Sequence, residues 1–397
     1  MSTFINVLLG VQSLFIFLFA GYEYVTLMHF PSLPAAAESD TESSFVSIIL
    51  PVRNQAKTVA ECIGSLVGID YPQKEIIVVD GGSTDGTKEL VQSYKDQIRF
   101  VEEDPLPTGW VGKNWACHLG YKQSKGDLLL FTDGDSTHST DSLTRAANYL
   151  HAEKADIVTL APSTILRSFW EKVLQPPIFL LIMILVGGKL VNDDSRRNAI
   201  GNGQYMLFRR EAYEKVGGHT AVHDKIIEDY SLARLLKRAG MRLRFVTAQD
   251  VLGVRMYSSL GEIWRGWRKN FYTVSERYML WKAATRIVLM LTFLVLPFAV
   301  LAYGVIVALT NPLNPFLISG AFMSFLLWLG IIILDRSIDI PAGYGLLFPI
   351  AILIYIGIGI DSTVRGSLGY GFSWKGRVYG KPTERQLDPH SMVAGTV

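Results

Sequence analysis

Cysteine is scarce: Cys62 and Cys117 are the two in 397 residues, with no Cys-x-x-Cys spacing. That excludes a disulfide framework and a thiolate zinc site, and reads both thiols as small buried groups in a reducing compartment. Excess charge is missing too. A formal net charge of +2, without a clustered basic face, excludes the footprint of a nucleic-acid-binding protein. No Walker A sequence and no Gly-x-Gly-x-x-Gly follows the first apolar strand, which weighs against a nucleoside triphosphatase and a nicotinamide enzyme. No Lys or Arg precedes Arg53. The N-terminal apolar run therefore lacks the charged region of a signal peptide, although Ala35-Ala36-Ala37 resembles a cleavage site.

What is abundant is apolar sequence, 49% of the chain. Four stretches are candidates for membrane spans: Phe4 to Met28, Ile287 to Leu309, Phe316 to Leu334 and Leu346 to Ile360. The first three approach the ~20 apolar residues that a bilayer demands. The fourth is short unless it continues through Asp361 to Val364. Arg265, Arg268, Lys269, Arg277, Lys282 and Arg286 precede the second span. The positive-inside bias then places the middle region in the cytoplasm, on a multi-pass protein of the cell membrane with its N-terminus outside. Three further spans would put the tail outside, yet it carries Arg365, Lys375, Arg377, Lys381 and Arg385. Either the last segment is re-entrant or the bias fails. The run Pro176 to Val191 is too short to span and reads as an interfacial helix or a core helix. The expected division is a helix and linker over 1–43, an α/β domain over 44–281, membrane helices over 282–367 and a basic tail over 368–397.

In the middle region strands and helices alternate. Val46 to Leu50, Glu75 to Val79, Asp127 to Thr132 and Asp156 to Leu160 read as strands, with Val59, Cys62, Ile63 and Leu66 at helical spacing between the first two. This βαβ series predicts a mostly parallel sheet with helices on both faces. Ligands of such sheets bind beyond the carboxyl ends of the strands, where Arg53, Asp80 and Asp133 lie.

Asp133-Gly134-Asp135 ends an apolar strand with two carboxylates two residues apart. That oxygen-rich rim suits Mg²⁺ or Mn²⁺ holding a diphosphate. Asp80 opens the turn Gly81 to Thr87, where a carboxylate can accept the N–H of a uracil ring; the turn itself needs no more explanation than a strand-to-helix connection. Lys113, flanked by Gly112 before a helix, can reach a phosphate or order the donor loop. Gly201-Asn202-Gly203-Gln204 lets backbone approach a ligand, or is a tight turn. Glu228-Asp229 starts a helix that stops at Gly240. Acidic residues there complement the helix dipole, and one of them can also serve as general base. Trp264 to Lys269 mixes cations with aromatics. It is either a basic interfacial helix, or a site where Arg265 or Arg268 neutralises a departing diphosphate while a Trp lines an acceptor cleft.

Val46-Ser47-Ile48-Ile49-Leu50-Pro51-Val52-Arg53-Asn54, Val79-Asp80 through Thr87, Gly126-Asp127 through Asp135 and Glu228-Asp229 together resemble family 2 glycosyltransferases of the GT-A, Rossmann-like fold. Within that family, Gly109-Trp110-Val111-Gly112-Lys113, Gly217-Gly218-His219, Arg255-Met256-Tyr257 and Trp374-Lys375-Gly376-Arg377-Val378-Tyr379 are most similar to membrane-bound enzymes that glycosylate lipids. These are the diaponeurosporenoate (carotenoid), hopanoid-associated and ceramide types. The resemblance implies an inverting transfer of a hexose from a nucleotide sugar, a UDP-sugar first, to a membrane lipid. It implies Mg²⁺ or Mn²⁺ on Asp135 and Asp133, and a donor set of Pro51, Arg53, Asn54, Asp80, Lys113, Asp133 and Gly134. Asp229 would be the base with Glu228 beside it. Gly203, Gln204, Arg265, Trp267 and Arg268 would face acceptor and diphosphate. The chain departs from the family's Gln/Arg-x-x-Arg-Trp element, since Lys269 follows Arg268. That argues against the alternative of a polysaccharide synthase and leaves the roles of Arg265, Trp267 and Arg268 open. A non-enzymatic nucleotide-sugar-binding scaffold is the third reading, which the full set of acidic motifs opposes.

Overall fold

Every residue of β1 (Val46–Val52) is buried, which is why its sequence is a continuous apolar run rather than an alternating one. The chain was studied as a computed structural model, which describes residues 2–28, 30–35, 44–186, 188–273, 279–338, 340–368, 370, 372–374 and 377–379. β2 (Lys74–Asp80), β3 (Arg99–Glu102), β4 (Leu128–Phe131), β5 (Ser136–His138), β6 (Ile157–Ala161), β7 (Ser163–Thr164), β8 (Met206–Arg209), β9 (Leu243–Thr247) and β10 (Leu252–Val254) follow. Seven strands form one sheet in the order β3-β2-β1-β4-β8-β6-β9, and β5, β10 and β7 form a small second one. In the large sheet β8 runs antiparallel to both neighbours, and the other pairings are parallel. The expected mostly parallel sheet is therefore present, with β8 making it mixed. Pro51 sits inside β1, opposite Val79 of β2. Pairing with β4 has already ended at Ile49 and Phe131, so its missing N–H interrupts no ladder on that side.

Helices cover both faces. On one face lie α2 (Val59–Val67), α3 (Thr87–Gln92) and, further along the chain, a helix over Ser142–Ala152. The expected Val59, Cys62, Ile63 and Leu66 are the buried residues of α2. The other face carries α4 (Gly112–Gln123); counting Ser142–Ala152 as α5, it also carries the later helices over Arg210–Lys215 and Glu228–Arg238. A Cβ on Gly120 would stand 2.5 Å from Ile49 Cγ2, so this glycine lets α4 lie close on the sheet.

Before β1, α1 (Ser2–Met28) leads to a segment that bridges to the sheet edge. Ser32 pairs with Thr247 of β9, and Arg145 of α5 donates to the carbonyls of Pro34 and Leu33 at 2.7 and 2.8 Å. The remaining helices are α6 (Phe169–Val186), α7 (Gly188–Val191), α8 (Arg210–Lys215), α9 (Glu228–Arg238), α10 (Leu260–Thr273), α11 (Met279–Met290), α12 (Leu296–Val307), α13 (Pro315–Ser337) and α14 (Phe348–Ser367). A π-helical turn over Leu291–Val295 joins α11 to α12 just before Pro297, which has no N–H for the preceding turn.

Among the described residues, three stretches are long and apolar enough to cross a membrane: Ile287–Val307, Pro315–Arg336 and Ala342–Ser367. The N-terminal apolar stretch over the residues described, Thr3–Leu18, is shorter. The segment expected from Pro176 starts earlier, at Phe169, and keeps Pro176 and Pro177 inside the helix. Its Val173, Leu174 and Ile178 are buried with Trp267 of α10 and Tyr355 of α14, so this part is a packed helix. Arg277, Lys375, Lys381 and Arg385 lie outside the described residues, as do the side chains of Lys282 and Arg286. Beyond α14 come β11 (Phe372–Trp374) and β12 (Arg377–Tyr379), an antiparallel pair.

Candidate active site

The carboxyl ends of β1, β2 and β4 lie side by side, and the loops leaving them are tied together. The guanidinium of Arg53 donates to the carbonyl of Gly81. Asn54 takes a left-handed backbone, φ 49°, which asparagine tolerates. Its N–H donates to Ser83 Oγ at 3.0 Å and its Oδ1 accepts from the N–H of Thr84 at 2.9 Å. Asp80 is buried, and both its oxygens accept from Ser83, one from the backbone N–H at 3.0 Å and one from the hydroxyl. The turn Gly81 to Thr87 thus fixes the Asp80 carboxylate at the mouth of the crevice.

Lys113, in the first turn of α4, is the centre of the site. Its ammonium lies 2.6 Å from Asp133 Oδ1 and 2.7 Å from Glu228 Oε1. Burial alone would depress its pKa; the charges of Asp133, Glu228 and Asp229 overcome this and hold it well above the ordinary value. Asp229 is held by backbone: Oδ2 accepts from the N–H of Gly203 at 2.9 Å and Oδ1 from that of Tyr230 at 2.7 Å. Burial, then the neighbouring charge of Glu228, raises its pKa to about 6, against the opposing pull of Lys113.

Glycines make this approach feasible. A Cβ on Gly203 would stand 2.7 Å from the Lys113 ammonium and 3.3 Å from Asp229 Oδ2, and one on Gly201 only 2.2 Å from the Asp229 carbonyl. Gln204 contributes backbone, its carbonyl accepting from Thr132 Oγ1 at 2.8 Å. Gly134 is crowded by Gln55, whose Oε1 would lie 2.5 Å from a Cβ there. Asp133 faces Lys113, while the charge of Asp135 acts on Cys62 and Tyr257, whose pKa values rise chiefly through burial and next through Asp135. Among the described residues no group of three or more His, Cys, Asp or Glu is gathered for a metal ion.

The expected residues of α10 go to different places. Arg265 is exposed. Trp267 is buried among the apolar side chains of α6 and α14. Arg268 pairs with Asp361 of α14 at 3.3 Å. Lys269 is instead within electrostatic reach of the site: burial lowers its pKa, Glu228 opposes this, Lys113 adds to it, and Asp229 and Asp133 pull upward, with the net shift downward. Sequence reasoning named Lys269 among the basic residues before the second span and as a departure from a motif, without giving it a role in the site. It missed Glu103 altogether and left Arg377 within an unexplained tail motif. Arg377 Nη2 lies 2.7 Å from Glu103 Oε2 and 3.3 Å from the carbonyl of Gly81. Glu103, one residue past β3, is itself well buried, with 4% of its side chain exposed. The C-terminal hairpin is therefore seated on the loops around Asp80.

Comparison with known proteins bears on this arrangement. Residues 47–217 match the family described as glycosyl transferase family 2. Two similar curated proteins are named 4,4'-diaponeurosporenoate glycosyltransferase. The one from Staphylococcus haemolyticus is 24% identical over 258 residues, 64% of this chain and 68% of that protein. The one from Staphylococcus aureus is 28% identical over 234 residues, 57% of this chain and 61% of that protein, so less than two thirds of its length is matched. A mannosyltransferase from Pyrobaculum calidifontis, solved with GDP-mannose and Mn²⁺, shares the fold: 18% identity, TM-score 0.53, covering 91% of this chain and 98% of that one.

Proposed function

We propose that the chain, whose residues 47–217 match glycosyl transferase family 2, moves a hexose from a nucleotide sugar, a UDP-sugar, to a hydroxyl or carboxyl of a membrane lipid with inversion. The observation that carries this reading is the position of α10. Its Lys269 lies within electrostatic reach of the carboxylates around Lys113, while its Trp264 and Trp267 pack with the apolar helices α6 and α14. One helix thus joins a charged site for a soluble donor to an apolar surface for a lipid. The names of the staphylococcal relatives point to an acceptor of the same kind.

Asp229 is the base. Its two oxygens each take one backbone N–H and keep lone pairs free, and a pKa near 6 leaves it ionised at neutral pH while making it more basic than an ordinary aspartate. Glu228, paired with Lys113, orients that lysine. The acceptor O–H gives its proton to Asp229. Its oxygen bonds to the anomeric carbon as the bond from that carbon to the diphosphate breaks, and the electron pair leaves with the nucleoside diphosphate. Lys113 and Lys269 supply positive charge where the diphosphate's negative charge grows. Asp80 receives the base of the nucleotide, with Pro51, Arg53 and Asn54 shaping its loop.

Asp133 and Asp135 fit a hard divalent ion, which takes one or two carboxylates and fills its other positions with water and phosphate oxygens. The cation already seated on Asp133, the Lys113 ammonium, marks the spot as one that accepts positive charge. Such an ion would supply Lewis-acid neutralisation of the departing diphosphate.

The test is to supply membranes containing the protein with several nucleotide sugars and analyse their lipids by mass spectrometry. A hexosylated lipid that depends on the chain is expected. It should vanish in EDTA and return with Mg²⁺ or Mn²⁺. Donor hydrolysis without any lipid product would refute the acceptor class, and full activity in chelator would refute the metal.

A further inference from the structure

Three apolar stretches separate the catalytic domain from the hairpin β11–β12. If all three crossed a bilayer, the hairpin would lie on the opposite side from the donor loops. Yet Arg377 is ion-paired with Glu103 and bonded to the carbonyl of Gly81. An even number of crossings must therefore join them.

The packing of α14 shows which stretch is the exception. Just before it, a Cβ on Gly345 would stand 3.1 Å from Ile331 and Ile332 and 3.2 Å from Asp335, in the last turns of α13. Phe348 at its start packs with Phe298 and with Ile331. Its far end lies against α10, the helix that precedes the first span. A Cβ on Gly357 would lie 3.2 Å from Trp264, Ser362 Oγ donates to the carbonyl of Arg268 at 2.9 Å, and Asp361 accepts from Trp264 Nε1 at 2.8 Å. Asp361 also pairs with Arg268 and Arg365, at 3.3 and 2.8 Å. Such a cluster is costly at the centre of a bilayer and ordinary at its surface, where tryptophan is also favoured. By contrast α12 and α13 pack on each other as an antiparallel pair with no acidic or basic residue between Ile287 and Leu334.

We propose that α14 is a re-entrant helix in the leaflet beside the catalytic domain, with the chain crossing the bilayer twice, through α11–α12 and α13, before its tail returns to the donor loops. One face of α14 packs on α6, α10, α11 and α13. The other exposes Ile350, Leu353, Ile360 and Val364 at helical spacing, with Leu346 exposed just before it, and its occupant is the acyl region of that leaflet. This holds whether or not the acceptor is a lipid.

Three variants of the full chain, each with one added cysteine, test it in sealed vesicles of known orientation, with a membrane-impermeant maleimide. Cys62 and Cys117 are buried and stay unlabelled. Lys95→Cys marks the catalytic domain, Leu309→Cys the turn between α12 and α13, and Tyr370→Cys the tail; all three positions are exposed. Tyr370→Cys is expected to label from the same side as Lys95→Cys and to lose its label where Leu309→Cys gains it. Labelling of Tyr370→Cys together with Leu309→Cys would overturn the proposal, as would labelling of Leu309→Cys together with Lys95→Cys. Should a variant fail to reach the membrane, antibody access to a peptide tag after Val397, in the same vesicles, decides the same question: access from the side opposite the catalytic domain overturns it.

Discussion

Asp229 feels two opposing neighbours, the charge of Glu228 raising its pKa and that of Lys113 lowering it. With Asp229 as the proposed base, whose working form is the ionised one, turnover is expected to fall as pH drops through about 6. In Lys113→Met the lowering influence is gone, so the acid limb of the kcat profile moves to higher pH; an unmoved limb would detach Lys113 from the base. Asp229→Asn keeps the shape and removes the basicity. A loss of roughly 10²–10⁴-fold in kcat is expected, with donor affinity by calorimetry retained. A near-normal Asp229→Asn enzyme beside a dead Glu228→Gln enzyme would move the base by one residue. Asp133, Glu228, Asp229 and Lys113 were legible because charged residues at strand ends and helix starts announce themselves. Lys269 was not. Arg268 and Lys269 are about 100° apart around a helix of 3.6 residues per turn, and a string of cations does not say which of them faces inward.

At the level of elements, the hairpin β11–β12 is tied to the loops around Asp80 by Arg377, which pairs with the well-buried Glu103 and bonds to the carbonyl of Gly81. Arg377→Ala leaves that carboxylate without its cation and loosens the loop that holds Asp80. The expected result is a donor KM raised on the order of tenfold, the factor given by 1.4 kcal/mol of lost binding, with kcat changed less. Equal effects on both constants would place Arg377 in the reaction rather than in the pocket wall. β1, β2 and β4 could be read from sequence because buried parallel strands are unbroken apolar runs, and α9 because its acidic start and the following Gly240 mark both ends. The direction of β8 could not be read: three apolar residues and an arginine carry no sign of which way they run. The hairpin was equally hidden, since its pairing depends on contacts far away in the chain.

For the molecule as a whole, the apolar runs after Thr273 were evident from composition, while their course through the bilayer depends on where the tail docks, a long-range fact that hydropathy does not encode. The bridge between Ser32 and Thr247 has a consequence of its own. Three residues lie between Met28, the end of α1, and Ser32, and the four steps along the chain stretch no further than roughly 14 Å. If α1 is embedded in the bilayer, the sheet edge hangs on a leash about as long as a lipid headgroup layer is thick, and the catalytic crevice keeps a fixed stand-off from the membrane. A six-residue Gly/Ser insertion after Met28 would add a slack of roughly 13 Å. Donor binding should be untouched by it, while transfer to a bilayer-resident acceptor slows and transfer to a short, detergent-dispersed analogue does not. Equal slowing with both acceptors would mean that the leash serves folding alone; unequal slowing would make stand-off height a working dimension of the enzyme, as real as any distance inside its site.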